Sequence, residues 1–265
     1  MKLDNQKVLT DAIEEADFLL LGIGEEWGIS FDEMLKEPFF ESGYAKLPDE
    51  ELKEKFVPVL QREYLKELRC ENLKKAYDNL YHLIKDKNYF LLSMNKDRYP
   101  VISGFEKEKC VFPCGGYELF QCDSGCTDEL HDAEAISDEI YNMLREYQGI
   151  SEIQMPVCPH CKKEMVFNNI EAAMYVEKGY LTDWERYMKW LQGTLNKKLC
   201  LLELGVSMRF PSVIRWPFEK TVYYNQKAKM FRIHHSLSQS MENISDRCYS
   251  LEENSVTYMS NLFVS

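Results

Sequence analysis

Residues 16–24 read A-D-F-L-L-L-G-I-G. A short, continuously apolar run of this kind suits a strand covered on both faces. It ends in Gly22-Ile23-Gly24, and strand, glycines and turn in that order form the setting in which backbone amides approach a phosphate closely. The same tight turn is as common with no ligand, so the glycines alone leave both readings open. Three further runs repeat the theme. Residues 89–94 (Y-F-L-L-S-M) lead into Asn95-Lys96-Asp97, residues 199–204 (L-C-L-L-E-L) into Gly205-Val206-Ser207, and residues 230–233 (M-F-R-I) into His234-His235. Helical periodicity separates them. Leu3, Val8, Leu9, Ala12 and Ile13 share one face of residues 3–15, and Trp184, Tyr187, Met188 and Leu191 share one face of residues 182–197. Strands alternating with helices, with glycines or small polar residues after several strands, predict an α/β fold on a parallel, doubly wound sheet. Such sheets bind ligands beyond the carboxyl ends of their strands. That makes Asn95 and Asp97 candidates for a site, the alternative being that they only shape a turn.

The second organising feature is two pairs of cysteines. Residues 122–126 read C-D-S-G-C and residues 158–161 read C-P-H-C, with 31 residues between the pairs. Cys122, Cys126, Cys158 and Cys161 have the spacing of a closed tetrahedral zinc site, each pair on a tight knuckle. Gly125 and Pro159 provide the permissive and the stiff position. Four thiolates with no open position hold structure rather than perform chemistry. The bland alternative is four buried free thiols, against which stands the improbability of two close pairs arising by chance. The span between the knuckles is acidic, with Ala135, Ile136, Ile140, Met143 and Leu144 at helical spacing. The expectation is a structural zinc module inserted into the sheet.

The chain has 265 residues, 45% of them apolar, and a formal charge of −12. That length suits one large domain, or one large and one small. The acidic balance works against nucleic acid and against anionic membrane surfaces, and no stretch reaches the ~18 apolar residues of a membrane span. No apolar signal region follows Met1, and nine cysteines without one predict reduced thiols in a cytoplasm. Residues 32–85 read as a helical insertion that Pro38, Pro48 and Pro58 are expected to break into short pieces. Its longest segment, residues 60–84, carries Leu65, Leu68, Leu73, Tyr77, Leu80 and Leu83 as a core-facing stripe. Glu25 and Glu26, directly after the first glycine turn, would oppose a bound phosphate unless they point to solvent. His234-His235 read as a strand end rather than a metal site, since the sequence suggests no third ligand. The tail from Gln239 is polar, with Val256, Tyr258, Leu262 and Phe263 available to dock a last strand or helix.

Taken in order, the first strand with its G-x-G, L-L-S-M-N-K-D (91–97), C-G-G-Y-E-L-F-Q-C-x3-C (114–126), C-P-H-C (158–161) and L-E-L-G-V-S (202–207) resemble the sirtuins. The nearest likeness is to the class M, macrodomain-linked sirtuins of microbes. Residues 88–126, 156–168 and 199–233 carry it, with V-I-R-W-P-F-E (213–219) especially close; the insertion and the tail contribute little. The resemblance implies a Rossmann-like NAD-binding domain made of residues 1–31, 86–117 and 167–240. Beside it would stand a smaller lobe of a helical insertion (32–85) and a four-cysteine zinc-binding module (118–166), with a C-terminal tail (241–265) and substrate entering between the lobes. Carried over residue by residue, Gly22 and Gly24 match the pyrophosphate loop. Asn95 and Asp97 match the pair near the nicotinamide and its ribose, Gly205 and Ser207 the loop that holds phosphate and adenosine ribose, and the four cysteines the zinc ligands.

Three positions depart from the family. Cys114 stands where its deacylases place a histidine base and class M members a glutamine. A thiol, with a usual pKa near ~8.5, acts as a base only where its surroundings lower that value, and is otherwise a small buried group. Glu25-Glu26-Trp27 replaces small residues followed by an arginine or aromatic that orders over NAD. His234 replaces the asparagine that closes the last strand and holds the adenosine ribose. The resemblance therefore implies a divergent NAD-dependent transferase that cleaves the nicotinamide bond and passes ADP-ribose to a protein side chain or an acyl-lysine. Deacylation is the least expected outcome and NAD hydrolysis another, and a lipoyl-carrier-like protein is the implied acceptor. The alternative is a catalytically inactive protein of the same fold that binds a nucleotide or a protein partner.

Overall fold

The computed structural model describes residues 2–146 and 150–263. In chain order its helices are α1 (Lys2–Glu15), α2 (Phe31–Met34), α3 (Pro38–Tyr44), α4 (Glu50–Leu65), α5 (Glu71–Ile84), α6 (Tyr99–Ile102), α7 (Glu134–Glu146), α8 (Lys178–Gly193), α9 (Arg215–Tyr224) and α10 (Ser255–Ser260). Its strands are β1 (Phe18–Ile23), β2 (Asn88–Ser93), β3 (Cys110–Val111), β4 (Gly115–Cys122), β5 (His131–Asp132), β6 (Met165–Asn169), β7 (Leu199–Leu204), β8 (Lys229–Ile233) and β9 (Cys248–Leu251).

Six strands form one sheet in the order β3-β2-β1-β7-β8-β9, every neighbouring pair parallel. β1 lies between β2 and β7, with Leu21 opposite Leu91 on one side and Leu202 on the other. Successive side chains of a strand point to opposite faces, so the uniformly apolar runs feed two cores. Leu19, Leu21 and Ile23 pack with residues of α1, α5 and α10, among them Leu9, Tyr77 and Met259. Leu20, Phe90 and Leu201 pack with Tyr187 of α8 and Phe218 of α9 on the other face. Layers of helix on both faces make the sheet doubly wound, and the chain reverses its direction of travel across the sheet at β1. The crevice beyond the carboxyl ends of β1 and β7 is thus the topological switch point. A second, antiparallel sheet in the order β5-β4-β6 carries the cysteine knuckles at one end, where Cys122 pairs with Met165.

One expectation needs correction. Pro58 does not break its helix, since α4 runs through it from Glu50 to Leu65. Pro38 sits in the first turn of α3, where a missing N–H has no helical partner to lose. The interruption comes instead at residues 66–70, which split the expected 60–84 segment into α4 and α5. The polar tail docks, as its apolar residues allowed, with Val256, Tyr258 and Leu262 buried. It supplies β9, which pairs Met230 with Cys248 and Ile233 with Leu251 and gives the edge of β8 its backbone partners. Helix α10 then docks on α5, where Asn79 Nδ2 donates to the Met259 carbonyl at 2.9 Å. No helix among the described residues is long and apolar enough to cross a membrane.

Candidate functional site

The loops after β1 and β7 cross at the switch point, and glycine makes the crossing possible. A Cβ on Gly24 would stand 2.3 Å from both the Gly205 carbonyl oxygen and Val206 Cα. Gly205 has φ +64°, and a Cβ there would meet Glu26 Cβ at 2.4 Å. Gly22 backs onto Ile214, whose Cγ2 would be 2.6 Å from an added Cβ. The three glycines thus have a packing reason for their identity before any ligand is considered. Across the loops, Gly24 N–H donates to the Leu204 carbonyl at 2.9 Å, and Asn95 Nδ2 donates to the Gly24 carbonyl at 3.0 Å.

Beyond this crossing lies a cleft of about 550 Å³ lined by Glu25, Gly28, Gln61, Asn95, Asp97 and Arg209, among others. Its size falls within the range of small-molecule sites. The far wall comes from the helical insertion and the second sheet, which Tyr117 joins by donating its hydroxyl hydrogen to Gln61 Oε1 at 3.0 Å. A neighbouring hollow of about 480 Å³ shares Leu65, Lys96, Asp97 and Tyr117 with it. Asn95 and Asp97, expected past the end of a strand, therefore face one cavity together. Asp97 accepts the Tyr99 N–H at 3.0 Å. Burial pushes its carboxyl up to about 7, against the opposing pull of the Tyr99 N–H and Arg98. Cys114 is buried at the start of the second sheet, and burial, reinforced by Glu25, pushes its thiol up to about 12. It is a neutral thiol near pH 7, the condition under which it is a packing group and not a base.

Glu25 and Glu26 point not to solvent but into the loop crossing. Ser207 donates its N–H to Glu25 Oε2 at 3.0 Å and its hydroxyl to Oε1 at 2.8 Å. Glu26 Oε2 accepts the N–H and hydroxyl of Ser255 at 2.7 and 2.6 Å, while Oε1 accepts the His235 N–H at 2.9 Å and meets His235 Nδ1 at 2.6 Å. Burial opposes ionisation of Glu26, but these donors outweigh it and hold the carboxyl below the usual carboxylate range. Trp27 is wholly buried, edge-on to Tyr77 at 4.7 Å, with Nε1 donating to Ser255 Oγ at 2.9 Å. His234 Nδ1 accepts the N–H groups of Ser236 and Leu237 at 3.1 and 3.0 Å, which shapes the turn after β8. Glu26 brings the two histidines the carboxylate that the sequence did not suggest. Its oxygens and His234 Nδ1 are all engaged, so the three form a hydrogen-bonded knot.

Several residues of the site escaped the sequence reading. Arg209 lines the cleft from the loop after β7. Beneath that loop, Arg215 donates to the carbonyls of Val206 at 2.8 Å and Leu237 at 2.9 Å, and lies 3.2 Å from Glu203. Arg232 donates to Glu203 Oε2 at 2.8 Å and Glu219 Oε1 at 2.7 Å. The signal was present: charges inside L-C-L-L-E-L and M-F-R-I are out of place in buried strands unless they meet each other.

At the end of the second sheet the four cysteine Sγ atoms lie within 4.8 Å of one another, with Cys122 and Cys161 at 3.5 Å and Cys126 and Cys158 at 3.6 Å. A tetrahedral ion with metal–sulfur bonds of ~2.3 Å sets its sulfurs ~3.8 Å apart, so the cluster fits a four-thiolate ion. Each knuckle is closed by its own backbone bond, Gly125 N–H to Cys122 O and Lys162 N–H to Cys158 O, both at 3.0 Å.

No protein-family model matches the chain. Among curated proteins, a protein ADP-ribosyltransferase of Staphylococcus aureus (strain Mu50 / ATCC 700699) is 25% identical over 263 aligned residues, covering 90% of this chain and 82% of the relative. A probable bifunctional ADP-ribose hydrolase/ADP-ribosyltransferase of Fusarium oxysporum f. sp. cubense is 26% identical over 150 residues, 54% of this chain and 25% of that protein. Among solved structures, Sir2Tm bound to a propionylated peptide superposes with a TM-score of 0.54 at 13% identity, over 97% of this chain and 96% of that one. A complex of a Sir2 homologue with NAD gives 0.55 at 14% identity, over 97% and 91%. The chain has the fold of the Sir2 sirtuins.

Proposed function

We propose, with the sirtuin fold as premise, that this chain is an NAD-dependent ADP-ribosyltransferase acting on a protein side chain. The observation that carries the reading is that Asn95 and Asp97 face a single cleft at the switch point, beside the crossing of the Gly24 and Gly205 loops. The residues present fit the dinucleotide: Ser207 and Arg209 for phosphate, Asp97 for ribose hydroxyls, Asn95 for the nicotinamide end. Bound NAD would supply an electrophilic ribosyl carbon once its nicotinamide bond loosens. The chain contributes position. Asn95 is fixed by its bond to Gly24, and Tyr117 and Gln61, bonded to each other, form part of the cleft wall. Cys114, a neutral thiol, is unable to take a proton, so an acceptor that is already nucleophilic suits the site better than an acyl-lysine route that depends on a base. Deacylation ranks last for that reason. The class M likeness supports a lipoyl-carrier-like protein as acceptor. The cysteine cluster is proposed to hold a structural zinc ion.

The test is nicotinamide release from NAD by the whole protein. Asn95→Ala is expected to abolish it; release at the wild-type rate from that variant would remove the site from consideration. One observation favours a second reading, a nucleotide-binding protein without turnover. Glu25 already occupies the donors of Ser207. Binding of ADP-ribose with no release of nicotinamide from NAD would favour it.

A further inference from the structure

We infer that Glu25 fills the phosphate subsite proposed above for Ser207 and Arg209, as an internal anion which a nucleotide's pyrophosphate must displace. The inference rests on the nucleotide reading above and deepens it. Two donors of Ser207 converge on one carboxylate, the N–H on Oε2 at 3.0 Å and the hydroxyl on Oε1 at 2.8 Å. A pair of phosphate oxygens asks for the same arrangement. The hydroxyl has little choice of direction: its oxygen accepts the Arg209 N–H at 3.1 Å, which leaves its own hydrogen for an anion. The loop is held from below, where Arg215 grips the Val206 carbonyl at 2.8 Å. Arg209 completes the set. It lines the same cleft, and its guanidinium lies 5.2 Å from the Phe210 ring centroid. Arg209 is exposed at the cleft, so its charge is open to an entering anion.

The consequence is a brake on affinity that is specific for charge. A pyrophosphate diester entering the subsite displaces Glu25 and must tolerate its negative charge nearby, whereas a nucleoside without phosphate never meets it. The experiment is calorimetric titration of ADP-ribose and of adenosine into the wild type, Glu25→Ala, Glu25→Gln and the double variant Glu25→Ala/Arg209→Ala. Glu25→Ala is expected to bind ADP-ribose about tenfold or more tightly than the wild type. Glu25→Gln, which keeps the side chain's volume and removes its charge, is expected to gain part of this. Adenosine affinity is expected to stay unchanged, and the double variant to lose the gain. Equal gains for adenosine and ADP-ribose would show that the substitution merely opens the loop, and would overturn the brake. Wild-type binding of ADP-ribose with no gain in either Glu25 variant would overturn the inference and leave the nucleotide site standing. Absence of ADP-ribose binding in all four proteins would overturn both.

Discussion

Asp97 is the residue in which position and environment conflict most. Its carboxyl sits among the hydroxyl-bearing rings of Tyr77, Tyr99 and Tyr117, all of which feel its charge. The unfolded chain releases this proton near ~3.9, the folded one at about 7. Folding therefore takes up a proton between those values, and the stability tied to this group is greatest below pH ~4, falls as pH rises toward 7, and is flat above. Asp97→Asn keeps an acceptor for the Tyr99 N–H and removes the charge. It is expected to melt above the wild type at pH 8, by up to ~4 kcal/mol of stability, and to match it at pH 4. An equal difference at both pH values in thermal unfolding would refute the shift. The sequence placed Asp97 past a strand end and could go no further, because its desolvation comes from rings on α5, α6 and β4 that are far apart in the chain.

At the scale of elements, the carboxyl end of β7 depends on the ion network beneath it. Arg215 on α9 satisfies two carbonyls and shares Glu203 with Arg232. Arg215→Ala would leave both carbonyls without their donor and weaken the compensation of a buried carboxylate. A loss of ~3–5 kcal/mol is expected, with faster amide hydrogen exchange confined at first to residues 205–209. A loss under ~1 kcal/mol by denaturant titration would mean that water replaces the guanidinium. The parallel strands were legible because burial on both faces writes itself as unbroken apolar runs, as in residues 18–23 and 199–204. β9 was not, because only the ends of its C-Y-S-L touch a core, and an edge strand is fixed by its neighbour's backbone more than by its own pattern. Pro58 misled for a related reason. A helix braced by Phe56, Val59 and Leu60 in the core tolerates a missing bond that an isolated helix would not. The glycine turn was legible as a turn. That its glycines are dictated by the crossing of two loops required knowing which loops cross.

For the molecule as a whole, the zinc ion proposed for the cysteine cluster would steady the sheet that gives the cleft its second wall. Tyr117 and the first cysteine of the cluster share one strand, β4 beginning at Gly115 and ending in Cys122. With zinc in place, its binding free energy is folding free energy for that sheet. Cys158→Ser, or chelation, is expected to lower the melting temperature and to abolish ADP-ribose binding along with it. A metal-free protein with unchanged melting and binding would show that the four thiols hold the sheet unaided.

The bonds from Glu26 to Ser255 span 229 residues of chain. During synthesis at ~5–20 residues per second, roughly 10–50 s separate the emergence of the two partners from the ribosome. For most of that interval β8 and His235 have not yet been made, and until Ser255 follows the loop after β1 lacks the serine that holds it. The nascent polypeptide therefore lacks the bonds that fasten the Glu26 loop beside the cleft. Any chain terminated early enough to lack Ser255 leaves the ribosome with that loop unlatched. The latch closes only once residue 255 has been made.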